Sequence, residues 1–406
     1  MQKYGGSSVA NPDLIANVAN RVVRDWYAGN RMVVVLSAMK GETDRLIGLG
    51  KTLTDDPDPR ELDVLMATGE QVTVSLFSLF LKGQGIPCTS LLSHQARIYT
   101  DGAYGRARII GIDTARILEE LKKGRVVTVA GFQGVDEVGN ITTLGRGGSD
   151  TTAVAIAAAL KADLCEIYTD VEGIFTTDPN ICPKARKLDR ISYDEMLELA
   201  SLGAKVLEIR SVGFAKRYKV PLAVRSTFSE DPGTLVTAED EDMEDIIVSG
   251  VAYSKNDARV TITRVPDRPG TAMKLFKPVA EANIVVDMII QNTSMDGFTD
   301  LTFTVPKGDL KKTLQLMKPI AREIGAAQVS SDPNIAKVSI VGVGMRNNAG
   351  VAARMFEHLA QVGINIIMIS TSEIKISVVI EDKFTELAVR VLHDAFELET
   401  PRPRRG

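Results

Sequence analysis

Residues 145–179 read GRGGSDTTAVAIAAALKADLCEIYTDVEGIFTTDP, and the order of parts in this stretch decides the fold. Gly145, Gly147 and Gly148 make a flexible turn, and Ser149 and Asp150 are good caps for the helix that follows. Thr151–Lys161 is rich in small residues, a helix built for close packing. Leu164–Tyr168 (LCEIY) then reads as a buried strand, and it leads directly into a polar turn, Thr169–Gly173. Turn, helix, strand and turn form the repeating unit of a mainly parallel sheet covered by helices on both faces.

Working outward, Met32–Leu36, Arg125–Ala130 and Leu222–Arg225 read as further strands of the same sheet. Asn11–Ala28, Asp63–Lys82, Asp113–Lys123 and Ser192–Tyr218 read as the helices between them. Glu137–Thr143 holds Gly139-Asn140 inside a β-rich run, which predicts a hairpin appended to that sheet. The segment 229–245 ends in the acidic run AEDEDMED and marks the exit from one large α/β domain, residues 1–245.

Beyond it the chain repeats itself. Gly270 and Gly350 lie 80 positions apart, and at that offset Phe276 matches Phe356, Ala280 matches Ala360, Ile284 matches Ile364 and Met288 matches Met368. A period this long is a domain duplication, since solenoid repeats run about 20–50 residues. Each copy reads strand, helix, strand (Ile284–Ile290 and Ile364–Ile369), strand, helix. In the first copy, Leu310, Leu314, Met317 and Ile320 line one face of Leu310–Ile324. Two βαββαβ sandwiches are expected, at 246–330 and 331–406.

Composition narrows the chemistry. The 406 residues carry 48 Lys and Arg against 52 Asp and Glu, a net charge of −4, so no basic footprint points to nucleic acid or an anionic membrane. The basic tail Arg402, Arg404, Arg405 is short and broken by proline. No apolar run approaches the roughly 20 residues of a bilayer span, and the start of the chain lacks a signal-peptide pattern, so a cytoplasmic protein is expected. Cys88, Cys165 and Cys182 show no CxxC spacing, and His94, His358 and His393 are isolated, so neither a metal centre nor a His-based triad is suggested. The chemistry must come from Lys, Arg, Asp, Glu and glycine-rich backbone.

Three motifs meet that requirement. Lys3-Tyr4-Gly5-Gly6-Ser7-Ser8 places a fixed positive charge beside a Gly-Gly turn whose N–H groups suit phosphate. Gly145–Asp150 puts an arginine, able to clamp a carboxylate, at a glycine-rich helix start. It is neither a P-loop nor a dinucleotide fingerprint. Tyr168–Pro179 is a polar turn after a buried strand, where open α/β sheets bind ligands. Thr43 in SAMKGETD (37–44) and Glu70 in MATGE (66–70) are further polar candidates for a small substrate. Each motif alone also fits ordinary turn and cap chemistry.

Taken together and in this order, KYGGSS, SAMKGETD, MATGE, GRGGSD, YTDVEGIFTTDP, GAKVLEIRS (203–211) and DPGTLV (231–236) resemble the aspartate kinase family. The resemblance covers nearly the whole chain, and the C-terminal repeats resemble paired ACT domains, which bind amino-acid effectors. It implies an amino-acid kinase (carbamate kinase-like) three-layer αβα domain followed by two ferredoxin-like ACT domains. It implies transfer of the γ-phosphoryl of MgATP to the side-chain carboxylate of L-aspartate, giving 4-phospho-L-aspartate, a step toward lysine, threonine and methionine. By the same resemblance Lys3 and Asp150 are catalytic. Thr43, Glu70, Arg146, Gly147, Gly148 and Ser149 bind aspartate. Lys3, Tyr4, Gly5, Gly6, Ser37, Thr169, Asp170, Phe175, Thr177, Asp178 and Lys205 bind ATP, with Mg2+ carried without a direct side-chain ligand.

Lysine, threonine or both are implied as effectors, at Asp267, Gly270, Thr271, Gln291, Asn347, Ala349, Gly350, Val351, Asn365, Ile366, Ser372 and Glu373. A homo-oligomer formed through the ACT domains, dimer or tetramer and possibly with a shorter C-terminal subunit, is implied too. Phe175 stands where relatives often carry tyrosine, Asn180 where they carry arginine, and Ala349 occupies the place that Pro269 holds in the first repeat. Other amino-acid kinases share the glycine logic, and a silent amino-acid sensor is the competing reading from a different class. Loss of Lys3, Asp150 or Arg146 would have favoured the sensor, and all three are present.

Overall fold

The computed structural model describes residues 1–202, 206–240, 246–292 and 296–400. They fall into two units. The first holds Met1–Phe175, Lys187–Ser201 and 206–240; the second holds Thr176–Arg186, Leu202 and the described residues from 246 onward.

In the first unit the strands are β1 (Gln2–Tyr4), β2 (Val33–Leu36), β3 (Cys88–Leu91), β4 (Ile98–Thr100), β5 (Ile109–Ile112), β6 (Val126–Ala130), β7 (Gln133–Val135), β8 (Ile141–Thr143), β9 (Cys165–Thr169), β10 (Arg190–Ser192), β11 (Leu222–Ser226) and β12 (Thr234–Thr237). The helices are α1 (Pro12–Tyr27), α2 (Glu42–Leu53), α3 (Pro59–Gly83), α4 (Ser93–Ala96), α5 (Ala115–Lys122), α6 (Gly148–Leu160), α7 (Tyr193–Ser201) and α8 (Ile209–Tyr218). Eight strands form the main sheet in the order β10-β12-β11-β9-β1-β2-β6-β3. All its pairings are parallel except β11 with β12. The expected mainly parallel α/β fold is the observed one.

Helices cover both faces for readable reasons. α1 begins where the Asn11 side chain accepts the Leu14 N–H, with Pro12 at its first position, a capped start of the kind proline favours. Ile15, Val18, Ala19 and Val22 make its buried stripe and pack with Val74, Phe77 and Leu81 of α3 against Tyr4, Val34 and Leu36. Burying each such side chain contributes roughly 1.5–3 kcal/mol before conformational entropy is counted. On the other face α6 packs on β1, β2 and β9. Residues 148–157 of α6 are all buried, which only its run of small side chains permits. α3 is the one described helix long and apolar enough to cross a membrane by length and composition. Its apolar stripe lies in the core, and Asp63 and Glu70 are buried on it.

Two expectations change. The hairpin β7–β8 belongs to a separate four-stranded sheet, β5-β4-β7-β8, and not to the main one. Phe132 takes a left-handed φ of 68° and turns the chain out of β6 before β7 begins. Ser192–Tyr218, read as one helix, holds two among the described residues, α7 and α8, and Glu208 is extended (φ −77°, ψ 133°) just before α8 begins. α2 is a further helix, and Gly41 at its N-cap has a φ of +81° that favours glycine.

The second unit contains β13 (Gly250–Ser254), β14 (Asp257–Pro266), α9 (Thr271–Glu281), β15 (Ile289–Gln291), β16 (Phe298–Pro306), α10 (Leu310–Glu323), β17 (Gln328–Asp332), β18 (Ile335–Val341), α11 (Val351–Gln361), β19 (Met368–Thr371), β20 (Lys375–Glu381) and α12 (Thr385–Ala395). β14, α9, β15, β16, α10 and β17 close one βαββαβ module with sheet order β15-β16-β14-β17. Its core joins Val260, Ile262, Leu275, Val279, Phe303 and Met317. In the second module the sheet is β13-β18-β20-β19, so β13, which precedes the first module in the chain, supplies the fourth strand. The described strands therefore divide differently from spans 246–330 and 331–406 in this one place. Both repeats turn after the first helix through a left-handed residue, Asn283 (φ 55°) and Gly363 (φ 73°), again 80 positions apart. The strands expected at Ile284–Ile290 and Ile364–Ile369 pair only at 289–291 and 368–371; Ile284 and Ile364 are buried anchors before the ladder starts.

Candidate active site

Parallel strands end together, and the candidates gather where they end. β1 is flanked by β2 on one side and β9 on the other, so the direction of winding reverses beside it. Open α/β sheets bind ligands at such a switch point. Backbone bonds stitch the strand ends: Gly5 N–H to Tyr168 O at 3.2 Å, Ser37 N–H to Tyr4 O at 3.1 Å, Gly131 N–H to Leu36 O at 3.0 Å and Thr227 N–H to Thr169 O at 2.9 Å.

Lys3 lies on β1 with only 8% of its surface exposed, and its Nζ meets Asp150 Oδ1 at 2.6 Å. Asp150 stands in the first turn of α6, so one ion pair ties the sheet to the start of the buried helix. A buried lysine is costly without a partner, and Asp150 is that partner. Gly5 and Gly6 follow. A Cβ on Gly6 would stand 2.9 Å from Ala38 O, which is why glycine is needed there.

Ala38 connects this corner to α3. Its N–H donates to Glu70 Oε1 at 3.0 Å, and its Cβ lies against Gly69. Glu70 is 2% exposed, and its Oε2 is buried with no hydrogen-bond partner among the described residues. Burial pushes the Glu70 carboxyl up to about 7, against the pull of the Ala38 N–H. A carboxylate with one satisfied and one unsatisfied oxygen is set to receive a donor from outside the protein. Thr43 stands in the first turn of α2, next to Glu42, whose Cγ approaches Gly69.

The loop that carries Arg146 is braced on both sides. Gly147 has φ +65°, and a Cβ there would overlap the Glu208 side chain. Arg210 Nη2 donates to Leu144 O at 2.5 Å and to Arg146 O at 3.0 Å, leaving the exposed Arg146 side chain outside this brace. Ser149 lies against Gly131 at the end of β6. Glu208 and Arg210 were not among the sequence candidates, although both sit in the quoted GAKVLEIRS segment; their role is visible only once α8 restarts at Ile209.

On the nucleotide side, Tyr4 stacks on Tyr168 with ring centroids 4.6 Å apart, and Thr169 Oγ1 donates to Asp170 Oδ1 at 3.1 Å. Ser37 follows β2, and Phe175 bridges Lys187. Thr177 and Asp178 are not in the first unit. They belong to the second, where Thr176 Oγ1 lies 2.9 Å from His393 Nε2 and Tyr253 OH donates to Asp178 Oδ2 at 3.1 Å. Lys205 lies outside the described residues.

The effector candidates occupy equivalent places in the two modules. Gly270 and Gly350 precede α9 and α11 with φ of +91° and +92°, and Thr271 and Val351 open those helices. Asp267 and Ala349 lie in the same loops, and Asn347 ends a 3-10 turn, Val343–Asn347, that leads into the second. Gln291 ends β15, while Ser372 and Glu373 join β19 to β20. Asn365 and Ile366 lead into Ile367 and Met368, which pack with Met288 and Ile290 of the first module. Lys337 of β18 pairs with Asp287 across the same contact.

Comparison with known proteins bears on the family and the fold. Residues 2–226 match the amino acid kinase family model, and residues 259–325 and 338–396 match ACT domain models. The chain is 58% identical to an aspartokinase of Pseudomonas aeruginosa over 403 residues, covering 99% of this chain and 98% of that protein. It is 51% identical to an aspartokinase of Helicobacter pylori over 403 residues, 98% of this chain and 99% of the relative. The crystal structure of Escherichia coli aspartokinase III in complex with aspartate and ADP superposes with a TM-score of 0.77 at 27% identity, covering 97% of this chain and 98% of that one. The same enzyme in complex with lysine and aspartate gives 0.76 at 27% identity over the same shares.

Proposed function

The chain belongs to the aspartate kinase family, and from that membership we propose that it transfers the γ-phosphoryl group of MgATP to the side-chain carboxylate of L-aspartate, producing 4-phospho-L-aspartate for the synthesis of lysine, threonine and methionine. The observation that carries this reading is the buried Lys3–Asp150 pair at 2.6 Å, set at the switch point of the sheet.

Phosphoryl transfer asks little covalent chemistry of a protein; it asks for positioning and for positive charge where negative charge spreads. Lys3, held by Asp150, supplies the charge, and the N–H groups after Gly5 and Gly6 cradle phosphate oxygens. Glu70 Oε2 receives the substrate ammonium, Arg146 takes a carboxylate, and Thr43 with the first turn of α6, Gly147 to Ser149, frames the acceptor. Tyr4, Ser37, Thr169, Asp170, Phe175 and Lys205 are assigned to the nucleotide. Mg2+ would neutralise the β- and γ-phosphate oxygens. Because Asp150 is already engaged by Lys3, the ion is assigned to phosphate oxygens and water, which suits its reluctance to dehydrate. The decisive assay follows ADP release with aspartate present or omitted and traps the acyl phosphate with hydroxylamine. ADP release that does not depend on aspartate, or a reaction that leaves no hydroxamate, would sink the reading.

The kinase domain is assigned to 1–245 and the ACT domains to 246–330 and 331–406, with β13 donated to the second. Lysine, threonine or both are the proposed effectors, bound in the loops before α9 and α11 and at the ends of β15 and β19. Oligomerisation through these modules completes the reading. Asp267→Ala and Gln291→Ala are expected to weaken inhibition by at least one of the two amino acids. Uninhibited kcat should change by less than about 2-fold, since the effector acts through a coupling and not on the chemistry. Inhibition titrations decide it: a wild type that neither amino acid inhibits, or mutants with its full response, would remove these loops from the effector site.

A further inference from the structure

Asp63 is fully buried on α3, and none of the chemistry above uses it. Its carboxylate collects donors from two segments. Oδ2 accepts the Gly105 N–H at 2.9 Å and the Thr143 N–H at 2.7 Å, while Oδ1 accepts the Thr143 hydroxyl at 2.7 Å and the Gly105 N–H at 3.0 Å. Both segments lead to the arginine loop. Thr143 ends β8 three residues before Arg146, and Gly105 O stands 3.0 Å from where a Cβ on Gly145 would be. The Ala107 N–H to Thr143 O bond at 2.8 Å closes the cluster.

Asp63 and Glu70 are seven residues apart on one helix, about two turns, so they share a face. One rigid rod thus carries the proposed ammonium partner of aspartate and the anchor of the loop bearing its proposed carboxylate partner. We propose that Asp63 is a positioning residue for aspartate: it fixes the Gly145–Arg146 turn to α3 and thereby sets the spacing between Arg146 and Glu70. This inference rests on the aspartate-binding roles given to Arg146 and Glu70. The alternative is a carboxylate that only stabilises the fold. The number of charge-assisted bonds makes a stability contribution certain, so loss of stability cannot separate the two. The separation lies in the kinetics, because a displaced carboxylate clamp harms one substrate and not the other.

The test compares Asp63→Asn, Thr143→Val and Thr143→Ser with wild type and with Arg146→Ala, each checked for a cooperative thermal transition. Thr143→Val keeps the shape and the backbone bond and removes only the hydroxyl donor, so it carries the test if Asp63→Asn fails to fold. Both Asp63→Asn and Thr143→Val should raise KM for aspartate by about 10-fold, with KM for ATP within about 2-fold of wild type. Thr143→Ser, which keeps the hydroxyl, should restore the wild-type KM for aspartate. If the folded variants change both KM values together, or lower only the melting temperature, Asp63 is structural and the inference fails. If Arg146→Ala leaves the KM for aspartate unchanged, the role given to the arginine loop fails instead.

Discussion

Lys3→Ala is expected to lower kcat by about 100-fold or more in a protein that still folds. The lysine is 8% exposed, is held at 2.6 Å by Asp150 and follows no competing cation on β1, so its charge is fixed before the nucleotide arrives. A preorganised charge costs no reorganisation during the reaction, which is why removing one such group is felt in kcat more than in KM. The substitution has a second consequence, since it strands the Asp150 carboxylate in a largely buried place. Stability and catalysis are separated by adding Asp150→Asn. The double variant should recover melting temperature lost in Lys3→Ala, because the unpaired charge is gone, and should recover none of the kcat. Steady-state kinetics beside thermal denaturation measure both. Near-normal kcat in folded Lys3→Ala would take Lys3 out of the mechanism.

The parts of this site that the sequence discloses are those fixed by local backbone chemistry. Gly5-Gly6 and Gly147-Gly148 are legible because close approach and left-handed φ exclude side chains, as Ala38 O and Glu208 now show. The 80-residue repeat is legible because both modules bury the same stripe, from Ile284 and Ile364 to Met288 and Met368. What stays hidden depends on long-range partners. Asp63 looks like any helix-starting acid until Gly105 and Thr143 are brought to it from 42 and 80 residues away. Arg210 and Glu208 brace the arginine loop only because a helix read as continuous restarts at Ile209. β13 joins the second module across the whole of the first, a pairing that no local pattern signals. Thr177 and Asp178 follow β9 in sequence yet belong to the second unit, where Tyr253 and His393 hold their segment.

Glu70→Gln should raise KM for aspartate by about 10- to 100-fold, the range set by losing a charged hydrogen-bond partner, with KM for ATP within about 2-fold. Glutamine keeps the shape and the acceptor for the Ala38 N–H, so only the charge offered at Oε2 is removed. The same residue predicts a pH dependence whose sign follows from burial. The Glu70 carboxyl sits at about 7 in the folded protein, above its ordinary 4.5, because burial penalises the carboxylate. Ammonium recognition needs the carboxylate, so kcat/KM for aspartate should fall below pH 7 and level off above it, reporting the free enzyme. At saturating aspartate the ammonium holds the carboxylate ionised, and kcat should vary much less over the same range. Stability runs the opposite way. A carboxyl raised in the fold is protonated there more readily than in the unfolded chain, so its destabilising charge is fully present above pH 7 and is relieved as pH falls toward 4.5. Glu70→Gln should therefore melt no lower than wild type at pH 8 while binding aspartate far worse, and its kcat/KM should lose the inflection near pH 7. If KM for both substrates rises equally, or the inflection survives in Glu70→Gln, Glu70 is a structural acid and the ammonium must be bound elsewhere.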